Sequence, residues 1–128
     1  MTDTVQAARD VLRRNRRGGY TIPSPRLYPY QWNWDSGFIA LGLSTFDTAA
    51  ATTELEHLFE GVWASGMLPH ILFHDEEASG YFPGPDEWDV GTDDGLASIG
   101  ITQPPIAVTA ARTVYDRTGD DAFLSAVL

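Results

Sequence analysis

The chain has 128 residues, a net charge of −10 from 18 acidic and 8 basic side chains, 43% hydrophobic residues and no cysteine. That is enough apolar material for one packed domain, which argues against wholesale disorder. It excludes disulfides and thiolate metal sites, its strongly acidic balance argues against nucleic-acid binding, and it contains no apolar run long enough to span a bilayer.

The first helix is expected from Thr4 to Arg17, capped by Thr2 or Asp3, with Val5, Ala8, Val11 and Leu12 on one face. The same stretch is charged and lacks the apolar centre of a signal peptide, so a cytoplasmic protein is expected. Gly18-Gly19 should end the helix. Tyr20 to Tyr30 holds Pro23, Pro25 and Pro29, a density that no regular helix survives, so an extended loop follows.

A second helix should start near Asp35 or Ser36 and reach Ser44; it is apolar almost all round and is expected to be buried on every side. Asp47 should cap a third, from Thr48 to about Ala64. Its core face would be Ala51, Leu55, Leu58, Phe59 and Val62, with Glu54, Glu56 and Glu60 in water and His57 on the surface. Residues 66–101 form a long, glycine-rich and irregular stretch, of the kind that usually carries function. Its acids from Asp75 to Asp94 read as a solvated loop, because their order does not match that of a calcium-binding loop. A fourth helix should begin at Gln103-Pro104-Pro105 and run to Gly119, and a fifth should follow the cap Asp120. Leu124, Val127 and Leu128 on that last helix would form an apolar face with nothing to cover it. Helices joined by alternating short and long connections suggest stacked αα-hairpins, which bury their faces only against further hairpins. An N-terminal fragment of a larger all-α domain, prone to self-association through that face, is therefore expected.

The chemistry concentrates in Tyr28 to Phe38 (YPYQWNWDSGF). Tyr and Trp join a flat apolar face to a polar edge, and a sugar ring matches both, stacking its C–H groups and hydrogen-bonding its hydroxyls to amides and carboxylates. On composition alone an aromatic core loop, with Asp35 only capping a helix, is the better account of the segment, since aromatics are more often core than ligand shelf. His70, His74 and Asp75 mimic a metal set, but Pro69 and the loop context argue against a zinc helix, and no metal or cofactor is expected. There is no phosphate-binding glycine loop and no nucleophile elbow.

Taken in order, QWNWDSGFIALGL, ELEHLFEGVWASGMLPHILF, YFPGPDEW and GITQPP resemble glycoside hydrolases of the mannosylglycerate and glucosylglycerate hydrolase type. The resemblance runs from about Tyr20 to Tyr115. It implies an (α/α)6 barrel, of which residues 1–128 would be the N-terminal portion, akin to processing α-glucosidase I, trehalase and glucoamylase. It implies inverting hydrolysis of an α-glycosidic bond in a small glucosyl or mannosyl compound. Inversion needs two carboxyls about 6.5–9.5 Å apart, and in the family both lie on later hairpins, so no catalytic residue is assigned here. Residue by residue, the resemblance implies that Trp32, Trp34 and Asp35 form the first sugar-binding motif and that Tyr28 lines the same subsite. It gives Tyr81 a place on a loop that closes over the substrate, and Gln103 a contact to the sugar from the TQPP turn. The DDGLASIG run before that turn departs from the more usual Pro-rich stretch. The expected partner is a small carbohydrate, with neither nucleic acid nor membrane. A non-catalytic sugar-binding or helical interaction module is the alternative.

Overall fold

The structure, a computed structural model, describes residues 3–74, 81–92 and 94–127. Helix α1 (Thr4–Asn15) is capped by Asp3, whose carboxylate accepts from the Val5 amide at 3.0 Å. It stops two residues before the expected end. Arg16–Arg17 (β1) instead turn through Gly18, at φ 64°, to pair with Tyr20–Thr21 (β2). Gly19 is needed there for space, since any side chain would overlap the His57 ring. Only the Leu12 end of the expected apolar face packs on the core; Val5 and Val11 remain exposed.

The pattern beyond is a helical layer with a small sheet at one end. Gln31–Trp32 (β3) leads directly into α2 (Asn33–Leu43). Asp47 caps α3 (Thr48–Phe59) by accepting from the Ala50 amide at 3.0 Å. Ile71–Leu72 (β4), the short helix α4 (Pro85–Trp88), Val90–Gly91 (β5) and Ala97–Ser98 (β6) follow. Last come α5 (Ile106–Thr118), ended by Gly119 at φ 63°, and α6 (Asp121–Ala126), capped by Asp120. The sheet order is β3-β4-β6-β5, all antiparallel, with Trp32 opposite Ile71 and Leu72 opposite Ser98. The all-α expectation is thus corrected: the fold is mostly helical, but the long irregular stretch folds back as short strands. These meet the backbone hydrogen-bonding needs of a partly buried loop.

Helix α2 packs between α3 and α5, and α6 closes the end of the layer. Ala40, Leu43, Ala51, Leu55, Leu58, Leu72, Ala110, Val114 and Phe123 form one core. Gly37 lets α2 and α5 approach closely, because a Cβ there would lie 2.8 Å from Ile106 Cγ2 and 3.1 Å from the Ala107 backbone nitrogen. Arg117 donates to the Ser44 carbonyl at 2.9 Å and ties down the far end of α2.

Five expectations change. Helix α2 is not buried on every side: Asn33, Ser36, Gly37, Ala40 and Leu43 face in, while Trp34 and Phe38 are exposed. Helix α3 ends at Phe59, so Val62 lies beyond it; Glu54 on the same helix is wholly buried rather than in water. His57 is half-buried, paired with Glu60 at 3.1 Å and set edge-on to Tyr20. The end of the chain is less bare than expected. Val127 is buried in the main core and Leu124 is half-buried, while Leu128 lies outside the described residues. Among the described residues no helix is long and apolar enough to cross a membrane.

Candidate functional site

The junction of β3 and α2 sorts its side chains by direction. Strand geometry alternates them, and the first helical turn then carries the last ones round. Gln31, Asn33 and Ser36 are buried, whereas Trp34 is 43% exposed and Asp35 is half-buried. Asn33 is held from two sides. Its amide donates to the His70 carbonyl at 3.0 Å, and its Nδ2 donates to the Leu68 carbonyl at 3.2 Å. The Trp34 amide, one of the first-turn N–H groups that have no helical acceptor, donates to Gln103 Oε1 at 3.0 Å. That bond joins residues 69 positions apart and fixes the turn before α5 against the start of α2.

Tyr28, Trp32, Trp34, Asp35, His70 and Gln103 line one cleft of about 270 Å³. This is close to the lower end of the roughly 300–1,000 Å³ typical of small-molecule sites, a size suited to one ring. Tyr28 and Trp32 meet edge to face at 5.3 Å between ring centres. Trp32 is buried at the back, in a second aromatic core with Tyr30, Ile71, Phe73 and Ile99. Tyr81 packs edge-on behind Trp32 at 5.2 Å and against Tyr30 at 5.9 Å, so it supports the aromatic wall and does not line the cleft. Five of the six residues anticipated from the sequence therefore meet in one cavity, and the sixth touches it from behind.

His70 is the lining residue that sequence reasoning missed as a cleft residue. The signal lay in strand pairing: with Ile71 opposite Trp32, His70 is carried alongside Asn33 at the mouth of the helix. Burial lowers its imidazole's proton affinity, so it is a neutral donor and acceptor at neutral pH. Burial also raises the Asp35 carboxyl above its ordinary range, against the opposing effect of hydrogen bonds from its own backbone and from Trp34. Asp35 is the one carboxylate lining the cleft among the described residues.

Two hollows more than twice that size, of about 590 and 580 Å³, lie elsewhere. The first runs along Pro85, Asp86, Asp89 and β5; the second is an apolar groove between the Gly66–Leu68 turn, α5 and α6. Neither gathers aromatic faces around a carboxylate. The acids near the first do structural work or face solvent. Glu87 accepts from the Gly84 amide at 2.7 Å and caps α4, while Asp86 and Asp89 are exposed. Asp75, the third member of the imitation metal set, lies outside the described residues, and His74 bonds Gln31 instead. No group of three His, Asp or Glu side chains able to hold a metal ion occurs among the described residues.

Known proteins resemble this chain in sequence and in fold. Residues 28–128 match the mannosylglycerate hydrolase MGH1-like glycoside hydrolase domain. The chain is 50% identical over 112 residues to the mannosylglycerate hydrolase of Thermus thermophilus, covering 87% of this chain and 27% of that protein. It is 39% identical over 122 residues to the glucosylglycerate hydrolase of Mycolicibacterium hassiacum, covering 90% of this chain and 27% of that protein. The crystal structure of a Thermus thermophilus GH63 mannosylglycerate hydrolase with Tris superimposes with a TM-score of 0.85 at 44% identity. That match covers 97% of this chain and 29% of the other. The same hydrolase has been crystallised in complex with Tris and D-glycerate, and with glucose. The chain thus spans about a quarter of the length of the curated relatives it matches.

Proposed function

We propose, starting from the fact that this chain belongs to the mannosylglycerate hydrolase MGH1-like glycoside hydrolase family, that it forms one wall of the sugar pocket of an enzyme cleaving the α-glycosidic bond of a small glucosyl or mannosyl compound such as a glycosyl-glycerate. The observation that carries this reading is the convergence of Tyr28, Trp32, Trp34 and Asp35 with the distant Gln103 in one ring-sized cleft. In it Asp35 accepts hydrogen bonds from sugar hydroxyls, and the exposed faces of Trp34 and Tyr28 (47% exposed) stack on the ring. Gln103 has its oxygen engaged by the Trp34 amide and offers its Nε2 to a hydroxyl. Tyr81 stiffens the wall from behind.

The role is binding rather than bond cleavage. Inversion requires a second carboxyl across the glycosidic oxygen from the first, and Asp35 has no such partner lining the cleft among the described residues. The test is titration of the 128-residue chain with D-glucose and with D-glycerate, followed by the indole and amide NMR signals of residues 32–35. Saturable shifts confined to those signals and lost in Asp35→Ala are expected with glucose. Signals that stay unmoved would refute the reading. Release of mannose from mannosylglycerate by the same chain would refute the restriction to binding.

A further inference from the structure

Glu54 is wholly buried in α3, where a carboxylate is expensive to place. Its partners are specific. Oε1 accepts from Ser36 Oγ at 2.7 Å and from Gln31 Nε2 at 3.4 Å, and the Glu54 backbone carbonyl accepts from the same Gln31 Nε2 at 3.1 Å. The second oxygen, Oε2, lies against Thr21, and neither it nor Thr21 Oγ1 has a hydrogen bond of good geometry. Gln31 immediately precedes Trp32, and Ser36 immediately follows Asp35. One buried side chain therefore grips both flanks of the four-residue run that supplies half of the cleft's lining residues.

We propose that Glu54 is the positioning residue of the Trp32–Asp35 wall: by holding Gln31 and Ser36 together it sets the direction in which Trp34 and Asp35 project. A well-packed leucine would fill the same space without burying a carboxylate, and it would leave Ser36 without its acceptor and Gln31 Nε2 with the residue-54 backbone carbonyl alone. Of the other ties, Asn33 to Leu68 and Trp34 to Gln103 hold the middle of the wall, and strand pairing and His74 hold Gln31 alone, whereas Glu54 bonds the side chains on both flanks. The ligand side of the inference rests on the sugar-pocket reading above; the positioning itself does not.

The two are tested together but fail separately. Amide hydrogen exchange is measured for Asn33 and Trp34, whose N–H groups are bonded to His70 and Gln103, and for Val114 in α5 as a core reference. Glu54→Leu and the milder Ser36→Ala are expected to speed exchange at Asn33 and Trp34 by about tenfold, with Val114 unchanged. Glu54→Gln is expected to restore near-native exchange, because its carbonyl still accepts from Ser36 and its amide gives Thr21 Oγ1 a donor. Where Glu54→Leu fails to fold, Ser36→Ala carries the comparison. Wall and core amides accelerating alike, or wall amides unchanged in a folded variant, would overturn the proposal. In a wild-type chain that binds glucose, affinity should fall about tenfold in Ser36→Ala and recover to within about threefold of native in Glu54→Gln. A wild-type chain that binds no glucose but shows the selective acceleration refutes the sugar reading and leaves the positioning role standing.

Discussion

Acid should loosen this chain through His74. Its Nε2 sits 2.6 Å from Gln31 Oε1, its ring stacks on Tyr20 at 4.5 Å, and His57 lies 5.9 Å away. Because Gln31 Oε1 only accepts, the neutral ring must carry its proton on Nε2. Burial first, then the nearby His57, push the imidazole down from 6.5 to about 4, with Glu60 pulling weakly the other way. A base whose proton affinity is lower in the folded state contributes stability above its ordinary value and loses it as pH falls. The window is therefore pH 6.5 down to about 4. At about 1.4 kcal/mol per tenfold change in affinity the full loss would be about 3 kcal/mol. The ring is only partly buried, and solvent screening brings this to about 2 kcal/mol. Glu54 and Asp35 act in the opposite sense: burial raises both, so each favours folding most below the ordinary carboxylate range and less as pH rises through its raised value. The measurement must therefore be a difference. Urea unfolding of the wild type and of His74→Gln, which keeps a donor toward Gln31 without titrating, should be compared from pH 7 to pH 4. The wild type should lose about 2 kcal/mol relative to the variant across that range. A difference constant to within about 0.5 kcal/mol would refute the assignment of a neutral, buried His74.

Two substitutions probe how the cleft is assembled. Gly37→Ala places a methyl 2.8 Å from Ile106 Cγ2 and 3.1 Å from the Ala107 nitrogen. Overpacking of this kind costs about 1–3 kcal/mol against a helix-propensity gain of about 1. The backbone of Ala107 cannot swing aside, so a net loss is expected in thermal unfolding, and a rise in Tm would contradict the close α2–α5 approach. Gln103→Ala removes the acceptor of the Trp34 amide and should cost about 1 kcal/mol or less, because that amide lies at the wet rim of the cleft. Its signature is local: the Trp34 amide should shift and exchange faster while the α3 amides do not, and a change spread over both helices would count against the tie.

The aspartate caps were legible because they depend on a few local atoms, whereas α2 starts at Asn33 with no side-chain cap, ahead of the expected Asp35 or Ser36. Asp47 and Asp120 cap as their side chains dictate, and Gly119 closes α5 in the left-handed region that glycine tolerates. The short strands were not legible. Each is two residues long and is held by partners far along the chain, such as Gln31 against Leu72 and Leu72 against Ser98, so no local periodicity announces them. Length also escaped: α1 and α3 both stop earlier than their apolar pattern suggests. Arg16 and Arg17 gain a hairpin partner in β2, and residues 60–66 turn back toward the sheet through bonds such as Trp63 to Met67.

Most of the residues singled out in the sequence lie together in the fold, while the buried side chain beneath them did not stand out, and one physical reason covers both. On a helix, position decides burial before residue type does. Residues 51, 54, 55 and 58 share one arc of α3, and all four are buried, although Glu54, the first acid of the expected polar set, is among them. Residues 34 and 38 share the outer arc of α2, and both are exposed, although both are aromatic. The two exceptions to hydrophobic patterning are on facing helices at the same site. A carboxylate inside grips Ser36 and Gln31, and an aromatic pair outside, Trp34 and Phe38 at 6.2 Å, is left presenting its rings. A chain selected only for packing would exchange these types, with leucine at 54 and polar residues at 34 and 38. Such local violations of an otherwise consistent pattern are where function is expected. Here the inward acid on α3 bonds Ser36, which lies within one turn of both outward rings on α2, so the inversion at α3 holds in place the surface exposed at α2.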